Sequence, residues 1–288
     1  MKRIFLITIL IFSTLSAFSF SFDKIRFFDE KTDTTTINGI LSKTHEANFA
    51  TPNERVGFIA RQFLGLPYVA HTLEGDNEML TINTSQLDCT TFVETVIALA
   101  YTVGEGGTSW RDYAKNLERI RYRDGNLDGY ASRLHYISDW IINNSSRNNF
   151  SEVTKQIPNA SNITKTINFM STHRDSYKSL ADNDEYAKIL DVEKNFVSHQ
   201  YPYIKKINIR NKSTSNALKD GDIIALTTKM NGLDVSHMGL IAIVDGVPHL
   251  MHASMKAMKV IIDPLPLYKY LNNSKSLTGI RVIRLNQS

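Results

Sequence analysis

Residues 87–100 read "LDCTTFVETVIALA" and contain the only cysteine of the 288-residue sequence, Cys89. The apolar positions after the cysteine recur at helical spacing. They are Phe92, Val93, Val96, Ile97 and Ala100. Asp88 or the threonines after the cysteine are suited to cap the first turn, and Thr91-x-x-Glu94 has the form of a capping box. The sequence therefore predicts a helix that begins at the cysteine, where the macrodipole and the free N–H groups favour a thiolate.

The first residues of the chain, "MKRIFLITILIFSTLSAFSF", have the pattern of a secretory signal peptide. Lys2 and Arg3 precede an apolar run that is too short to span a bilayer comfortably, and small residues follow it. We expect residues 1–21 to be removed and residues 22–288 to form a single domain in the periplasm or outside the cell.

The composition of the chain is that of a folded globular protein. Hydrophobic residues make up 42% and charged residues 22% of the sequence, which is ordinary for a soluble domain. The formal charge of +4 includes Lys2 and Arg3, and the other basic and acidic residues are well mixed. This pattern does not indicate nucleic-acid binding, and we expect a monomer whose mature chain has no stable membrane insertion.

A single cysteine in an exported protein needs an explanation. Oxidising compartments favour disulfides, and one cysteine cannot form an intramolecular disulfide. Cys89 is therefore an inert buried thiol, an intermolecular bridge or a reactive nucleophile. As a nucleophile it would need a proton acceptor, usually a histidine that the fold brings near the thiol.

The C-terminal part of the chain offers the best-placed histidines. Residues 217–254 predict three strands, which read "DIIALTT", "SHMGLIAIV" and "VPHLMHAS". Asp245-Gly246 is the expected two-residue type I′ turn between the last two strands. The sequence therefore predicts an antiparallel hairpin with a defined register.

This register decides which histidines share a face. Counting back from the turn, Gly239 faces His252, and His237 lies on the same side of its strand as Gly239. His237 and His252 should therefore project together, whereas His249 points to the other face. A bulge, for example at Pro248, would reverse this result. We interpret four of the other histidines as surface or structural residues: His45, His71, His173 and His199.

The motifs around these residues resemble the NlpC-type cell-wall cysteine hydrolases, papain-like enzymes that cleave peptidoglycan. The resemblance rests on "LDCTTFVETV" (87–96), "SHMGLIAIVDG" (236–246) and "LMHAS" (250–254). Upstream, "FLGLPYVAHTLEG" is similar to the Gly-x-Pro-Tyr segment of these enzymes. The segments "NLDGYASRLHYISDWI" and "VIIDPLPLYKYL" resemble the N-acetylmuramoyl-L-alanine amidase-like branch of the superfamily.

The resemblance implies an α+β, papain-like NlpC-type fold. We expect a helix bearing Cys89 to pack on an antiparallel sheet formed mostly by residues 203–285, with a helical insertion at about residues 105–205 that shapes the substrate cleft. The resemblance also implies that Cys89 is the nucleophile, His237 the general base and His252 the polar third member. It implies no cofactor, and the sequence has no Cys/His cluster with zinc spacing.

Five residues are candidates for substrate binding. Tyr68 matches the tyrosine that lines the site in relatives, although about twenty residues separate it from the cysteine and the Trp-Gly-Gly often found after it is missing. Tyr68 could instead be a half-buried core residue. Asp88 adjoins the cysteine, and Arg133, His135 and Asp139 belong to "SRLHYISDWI", a segment rich in groups that recognise sugars or carboxylates. In the alternative interpretation, this segment is only the buried stripe of an amphipathic helix.

The resemblance implies hydrolysis of an amide in peptidoglycan and favours the bond between N-acetylmuramic acid and L-alanine. A γ-D-glutamyl-diamino acid endopeptidase of the same superfamily is an alternative. Another is a non-catalytic muropeptide-binding protein, in which Cys89 is merely a small buried hydrophobic residue. An acyltransferase that uses the same residues is a third. For the amidase, the endopeptidase and the binding protein, the expected partners are peptidoglycan fragments.

Overall fold

The computed structural model describes residues 20–286. The predicted signal peptide, residues 1–21, lies outside these residues except for its last two. The helices are α1 (Glu30–Glu46), α2 (Pro52–Arg61), α3 (Cys89–Gly104), α4 (Trp110–Arg121), α5 (Ile137–Ser146), α6 (Phe169–Thr172), α7 (Asn183–Lys194), α8 (Lys212–Ser215) and α9 (Leu267–Asn273). Within residues 20–286, no helix combines the length and the apolar character that crossing a membrane requires.

The centre of the protein is an antiparallel sheet. The strands are β1 (Ile25–Phe27), β2 (Leu80–Ile82), β3 (Phe150–Glu152), β4 (Ala160–Lys165), β5 (His199–Lys205), β6 (Ile223–Thr228), β7 (Val235–Val244), β8 (Val247–Ser254), β9 (Lys259–Pro266) and β10 (Leu277–Leu285). The sheet has the order β4-β5-β10-β6-β7-β8-β9, and β3 pairs with one end of β10. A separate parallel pair joins β1 to β2.

The central strands are buried on both faces. In β6, Ile223 and Ala225 belong to the hydrophobic core under α1 to α4, whereas Ile224 and Leu226 belong to a second core on the opposite face, where α9 packs. Alternation along a strand sends successive side chains to these two cores. This explains why the central strands are nearly continuous apolar runs, with little of the polar alternation of a strand exposed on one face.

The first turn of α3 is fixed by its own side chains. Asp88 is the N-cap, and its carboxylate accepts the backbone N–H groups of Thr90 at 3.0 Å and Thr91 at 2.8 Å. The Thr91 hydroxyl accepts the N–H of Asp88 at 2.9 Å, which completes a capping box. The predicted box between Thr91 and Glu94 does not form, because the Glu94 carboxylate accepts from Arg121 at 2.7 Å instead. The helix begins at the cysteine, as predicted.

The hairpin of β7 and β8 has the predicted register. Val244 pairs with Val247, and Ala242 pairs with His249. The turn residues have positive φ angles, 49° for Asp245 and 76° for Gly246, as a type I′ turn requires. The pairing is regular as far as Met251, and the strand that contains Pro248 is not bulged against β7.

The irregularity lies one strand further, between β8 and β9. His249 pairs with Pro266, but Met251, two residues later, pairs with Ile262, four residues earlier. Strand β9 therefore carries two extra residues in the stretch that contains Asp263. Bulges of this kind bend a strand and re-aim its side chains.

The middle third of the chain contains strands as well as the expected helices. Helices are present near the expected positions, as α4, α5 and α7, but the same region contributes β3, β4 and β5 to the sheet. The sheet therefore begins well before residue 203. Strand β4 was not predicted because it is short, polar and only half-buried on alternate residues, so it lacks the apolar run that marks the central strands.

Candidate active site

The two histidines that the hairpin register brings together are hydrogen-bonded. Nε2 of His237 on β7 lies 2.6 Å from Nδ1 of His252 on β8, and the rings are nearly perpendicular, at 88°. His252 is almost completely buried, and the ring of Tyr270 from α9 contacts it edge to face. His249 faces away, and its Nδ1 donates to the carbonyl oxygen of Asp263 at 2.8 Å. The prediction that His237 and His252 share a face is confirmed.

Cys89 begins α3, on the side of the sheet that β7 and β8 form. Helix α3 packs across β7 and β8. The backbone N–H of Met238, the residue after His237, approaches the Cys89 sulfur. Since His237 uses Nε2 for its bond to His252, its other ring nitrogen, Nδ1, remains for a further partner.

Burial decides the resting charge of these groups. Burial, together with the Asp88 carboxylate, raises the pKa of the Cys89 thiol to about 11, although neighbouring N–H groups oppose this shift. Burial lowers the pKa of His237 to about 4. It also lowers the pKa of His252 to about 3, with a smaller contribution from the charge of His237. At neutral pH the site therefore holds a thiol and two neutral imidazoles.

This resting state differs from the expectation that the helix N-terminus produces a thiolate. The macrodipole is worth about 0.3–1 kcal/mol at an ordinary helix end, which is less than one pKa unit. Full burial of an ionisable group shifts its pKa by up to about 3–5 units. Desolvation of the sulfur therefore outweighs the dipole of α3 in this site.

The segment around Tyr68 is tied to the start of α3. Leu87 N–H donates to the Pro67 carbonyl at 3.1 Å, and Val69 N–H donates to the Leu87 carbonyl at 3.2 Å. These bonds bring Tyr68 beside Cys89 in spite of the sequence separation between them. Burial, followed by the neighbouring Cys89 and Asp88, raises the pKa of the Tyr68 phenol. Tyr68 is thus a half-buried, protonated hydrogen-bond donor at the site.

A cavity of about 170 Å³ opens beside the start of α3. Three of the predicted substrate-binding residues, Asp88, Arg133 and His135, line it, and His71 and Tyr177 line it with them. The left-handed backbone of His71, with φ of 63°, is costly for a residue with a side chain and is common at functional sites. His71 was interpreted as structural from the sequence, where nothing distinguished it from other surface histidines.

The charged residues of this cavity are already paired. The Arg133 side chain is 8% exposed, and its Nη2 donates to Glu74 at 2.9 Å while its Nε lies 3.4 Å from a carboxylate oxygen of Glu78. His135 shares a hydrogen bond of 2.9 Å with the Tyr130 carbonyl, and burial lowers the pKa of His135 to about 3. Arg133 and His135 thus form a fixed wall with little net charge.

Asp139 does not belong to this cavity. It lies on α5 as a buried carboxylate in an ion pair with Arg123, whose Nη1 donates to Oδ1 at 3.1 Å. It lines a different cavity, together with Arg123 and residues of α7. Its prediction as a substrate-binding residue at the Cys89 site is therefore corrected. The alternative of a buried stripe holds, since four residues of the segment are buried: Tyr136, Ile137, Trp140 and Ile141.

Two residues that the sequence did not single out also reach the site. Tyr270 contacts the His252 ring, and an oxygen of the Asp263 carboxylate lies 3.8 Å from Nε2 of His252. Both belong to the segment "VIIDPLPLYKYL", so the family resemblance was the only available signal for them. Within residues 20–286, no group of three or more His, Cys, Asp or Glu side chains is arranged to hold a metal ion.

Comparison with known proteins agrees with this architecture. The model of the AmiA-like, N-acetylmuramoyl-L-alanine amidase-like family matches residues 58–280. No curated protein matches the chain. A solved N-acetylmuramoyl-L-alanine amidase from Bacteroides uniformis is 39% identical, with a TM-score of 0.78 over 82% of this chain and 99% of that chain.

Two further solved structures are similar. A Bacteroides fragilis protein, which its name proposes to be a xylanase, is 43% identical, with a TM-score of 0.73 over 78% of this chain and 98% of that chain. A Legionella pneumophila protein is 21% identical, with a TM-score of 0.66 over 89% and 95%, and so shares the fold. The family match spans most of the sequence, and the chain therefore belongs to the N-acetylmuramoyl-L-alanine amidase-like family of peptidoglycan hydrolases.

Proposed function

We propose that the protein is a cysteine-dependent N-acetylmuramoyl-L-alanine amidase with a Cys-His-His site. Cys89 is the nucleophile, His237 the general base and His252 the residue that orients the base. The observation that carries this proposal is the 2.6 Å contact between His237 and His252 next to the start of the cysteine helix. The B. uniformis amidase, which shares 39% of its residues with this chain, supports the choice of bond.

The geometry supports a two-step acyl transfer. Nδ1 of His237 takes the Cys89 proton as the sulfur attacks the lactyl carbonyl carbon, and the resulting imidazolium then protonates the departing amine of L-alanine. A water molecule, deprotonated by the same imidazole, hydrolyses the thioester. The nucleophile and the base are regenerated, and the stem peptide and the sugar leave separately.

The oxyanion of the tetrahedral intermediate needs hydrogen-bond donors. The Asp88 cap uses the N–H groups of Thr90 and Thr91 and not that of Cys89, which lies beside its own sulfur and is the first donor that we propose. Tyr68, protonated and beside the thiol, is the second donor that we propose. Donors of this kind contribute about 2.7–4 kcal/mol each to the transition state of acyl transfer.

The cavity beside Asp88 would receive the polar groups of the muropeptide next to the scissile bond. Arg133 and His135, together with His71 and Tyr177, offer donors and acceptors there. Because Arg133 is already paired with Glu74, its contribution would be the shape of the cavity and a partly shared hydrogen bond. Arg133 therefore has no unpaired positive charge to offer an anionic ligand.

A xylanase, the activity that the B. fragilis name proposes, is not supported by this site. Most glycosidases use two carboxyl groups that flank the scissile bond, one of them free to act as an acid. The carboxylates beside Cys89 have other partners: Asp88 caps α3, Glu94 binds Arg121 and Glu74 binds Arg133. The thiol and the two imidazoles are suited to acyl transfer instead.

We also propose how the enzyme is folded, exported and assembled. The assignment as an NlpC-type hydrolase includes a papain-like fold, removal of the signal peptide, action outside the cytoplasm and a monomeric state. None of them is needed for the chemistry at Cys89, and each is open to its own test. Size-exclusion chromatography with light scattering, for example, would measure the oligomeric state.

Mass spectrometry of digested muropeptides tests the reaction. Release of an intact stem peptide from the sugar is the expected result, because the attacked carbonyl is that of the lactyl group. Cuts within the stem would instead show the γ-D-glutamyl-diamino acid endopeptidase. Binding without any cleavage would show a muropeptide-binding protein, and transfer of the muramoyl group to an added amine in preference to water would show an acyltransferase. Cys89→Ala protein is the control for contaminating hydrolases.

A further inference from the structure

The second ring nitrogen of His252 is buried without a hydrogen-bond partner. Nε2 of His252 makes no hydrogen bond among the residues that the structure describes, and the side chain is 2% exposed. Buried polar groups without a partner are rare, and each one calls for a physical reason. Oδ2 of Asp263 lies 3.8 Å from this nitrogen, just beyond hydrogen-bond distance.

The tautomers of the two histidines determine what Nε2 of His252 must carry. For Nδ1 of His237 to accept the thiol proton, the neutral ring must hold its hydrogen on Nε2, from where it donates to Nδ1 of His252. Nδ1 of His252 is then an acceptor, so its neutral ring holds the hydrogen on Nε2. The N–H that results points from a buried ring toward the Asp263 carboxylate.

Asp263 is held in this position by three features of β9. The strand carries two extra residues here relative to β8. Nδ1 of His249 donates to the Asp263 carbonyl at 2.8 Å, and the N–H of Leu265 donates to Oδ1 of Asp263 at 2.9 Å. Oδ2 is thereby left for His252. The irregular pairing thus accompanies a carboxylate whose Oδ2 lies 3.8 Å from the buried ring.

We propose that Asp263 is a positioning residue that completes a relay from Cys89 through His237 and His252 to a carboxylate. This inference rests on the proposed function of the same site. As His237 becomes an imidazolium, the gap between Nε2 of His252 and Oδ2 of Asp263 closes to a hydrogen bond. The proton from sulfur stays on Nδ1 of His237 and passes to the leaving amine, and Asp263 keeps its charge throughout.

The charge of Asp263 matters because its carboxylate lies 3.8 Å from the buried ring of His252, whereas the other carboxylate of the site, Asp88, caps α3. Burial opposes a positive charge on either histidine, so one carboxylate 3.8 Å away is the group that offsets it. Five titratable groups, from four parts of the chain, face the histidine pair. They are Cys89 and Asp88 on α3, Tyr68 in the segment before β2, Asp263 on β9 and Tyr270 on α9.

Asp263→Asn is the first test. An asparagine has one acceptor oxygen where aspartate has two, so Leu265 N–H and His252 Nε2–H compete for it. We expect kcat/KM to fall roughly 10- to 100-fold, less than the loss caused by removing a directly bonded carboxylate. The acid limb of the pH profile should move about one unit lower, because loss of a nearby negative charge disfavours the imidazolium.

A readout without substrate separates this inference from the proposed function. Imidazole nitrogen NMR of Cys89→Ala protein should show His252 protonated on Nε2, and the protonation midpoint of the histidine pair should fall about one unit in the Cys89→Ala/Asp263→Asn protein. Such a result supports the relay even if no muropeptide is hydrolysed. If the spectra show His252 protonated on Nδ1 instead, the relay is excluded, and the Asp263→Asn substitution is not needed to decide it.

Two further variants control for a merely structural effect. Asp263→Glu keeps the charge and both oxygens, so its acid limb should stay near that of the wild type. Asp220→Asn removes a carboxylate that binds Arg61 and the end of β7 and should lower stability without moving the acid limb. A folded Asp263→Asn protein with an unchanged acid limb, or a shift of equal size in Asp220→Asn, would overturn the inference.

Discussion

The two walls of the site are built in different ways. The catalytic wall consists of α3 and the β7–β8 hairpin, where backbone hydrogen bonds of regular elements fix the side chains. The cavity wall consists of residues 71–78 and 130–135, which are irregular and are held by ion pairs of Arg133 with Glu74 and Glu78. Periodic backbone structure fixes the geometry of the catalytic wall, whereas contacts between side chains distant in sequence fix the geometry of the cavity wall.

This difference separates two kinds of mutational effect. On the catalytic wall a side chain can be removed while the helix and the ladder keep their shape, so activity should fall and stability should not. On the cavity wall, removal of Arg133 leaves the buried Glu78 carboxylate without its positive counter-charge, which costs folding free energy. Substitutions on the catalytic wall should therefore lower the reaction rate, whereas substitutions on the cavity wall should lower the stability of the fold.

The largest effect is expected at the nucleophile. Cys89→Ala or Cys89→Ser should fold normally, because the Asp88 cap that starts α3 does not use the thiol. Turnover of muropeptides should fall by roughly 10⁴-fold or more, since the covalent route is lost. Steady-state kinetics and thermal unfolding measure the two quantities. Activity close to that of the wild type would exclude the mechanism. It would also mean that the side chains of the catalytic wall do not determine activity.

The next effect concerns the two histidines of β8. His252→Ala should lower kcat by roughly 10- to 10⁴-fold, the range expected when an orienting group is lost but nucleophile and base remain. His249→Ala should cost at most a few-fold, because the His249 ring faces away from His237 and donates to the backbone carbonyl of Asp263. Rate measurements on both variants decide the matter. The reverse order would mean that the 2.6 Å contact of His252 has no part in catalysis.

The sequence predicted the catalytic wall because its geometry follows from short-range rules. The start of α3 follows from Asp88 and the apolar spacing after it. The pairing of His237 with His252 follows from a two-residue turn and alternation along β7 and β8. Each of these steps uses residues close together in sequence, where periodicity and turn chemistry suffice.

The cavity wall could not be predicted for the opposite reason. The pairing of Arg133 with Glu74 spans 59 residues, and the unusual backbone of His71 leaves no mark in the sequence. Asp139 was misplaced because helical spacing says which residues share a face and does not say what that face contacts. The position of Asp263 depends on an irregular pairing in β9, and alternation assumes that pairing is regular.

A third prediction tests the stability of the cavity wall. Arg133→Met should destabilise the protein by about 3 kcal/mol, the lower end of the cost of breaking a buried ion pair, because Glu78 is left with a side chain only 4% exposed. Chemical denaturation measures this change. Arg61→Met is the matched control, since its pair with Asp220 is about one-third exposed and should contribute at most about 1 kcal/mol. Equal losses in the two variants would contradict the role of ion pairs in this wall.

The smallest effect concerns the ionisation of the Cys89 thiol on the catalytic wall. Its measurement tests whether the dipole at the start of α3 or the burial of the sulfur controls the pKa of this thiol. Because burial and Asp88 raise the pKa of Cys89 to about 11, alkylation by iodoacetamide should be slow at pH 7 and should quicken with rising pH to a midpoint above the free-cysteine value of about 8.5. Asp88→Asn keeps a good N-cap and removes the carboxylate, so its midpoint should move to lower pH while α3 stays intact by circular dichroism. A wild-type midpoint below that of free cysteine would mean that the helix dipole and His237 outweigh desolvation, and that the site rests as a thiolate–imidazolium pair.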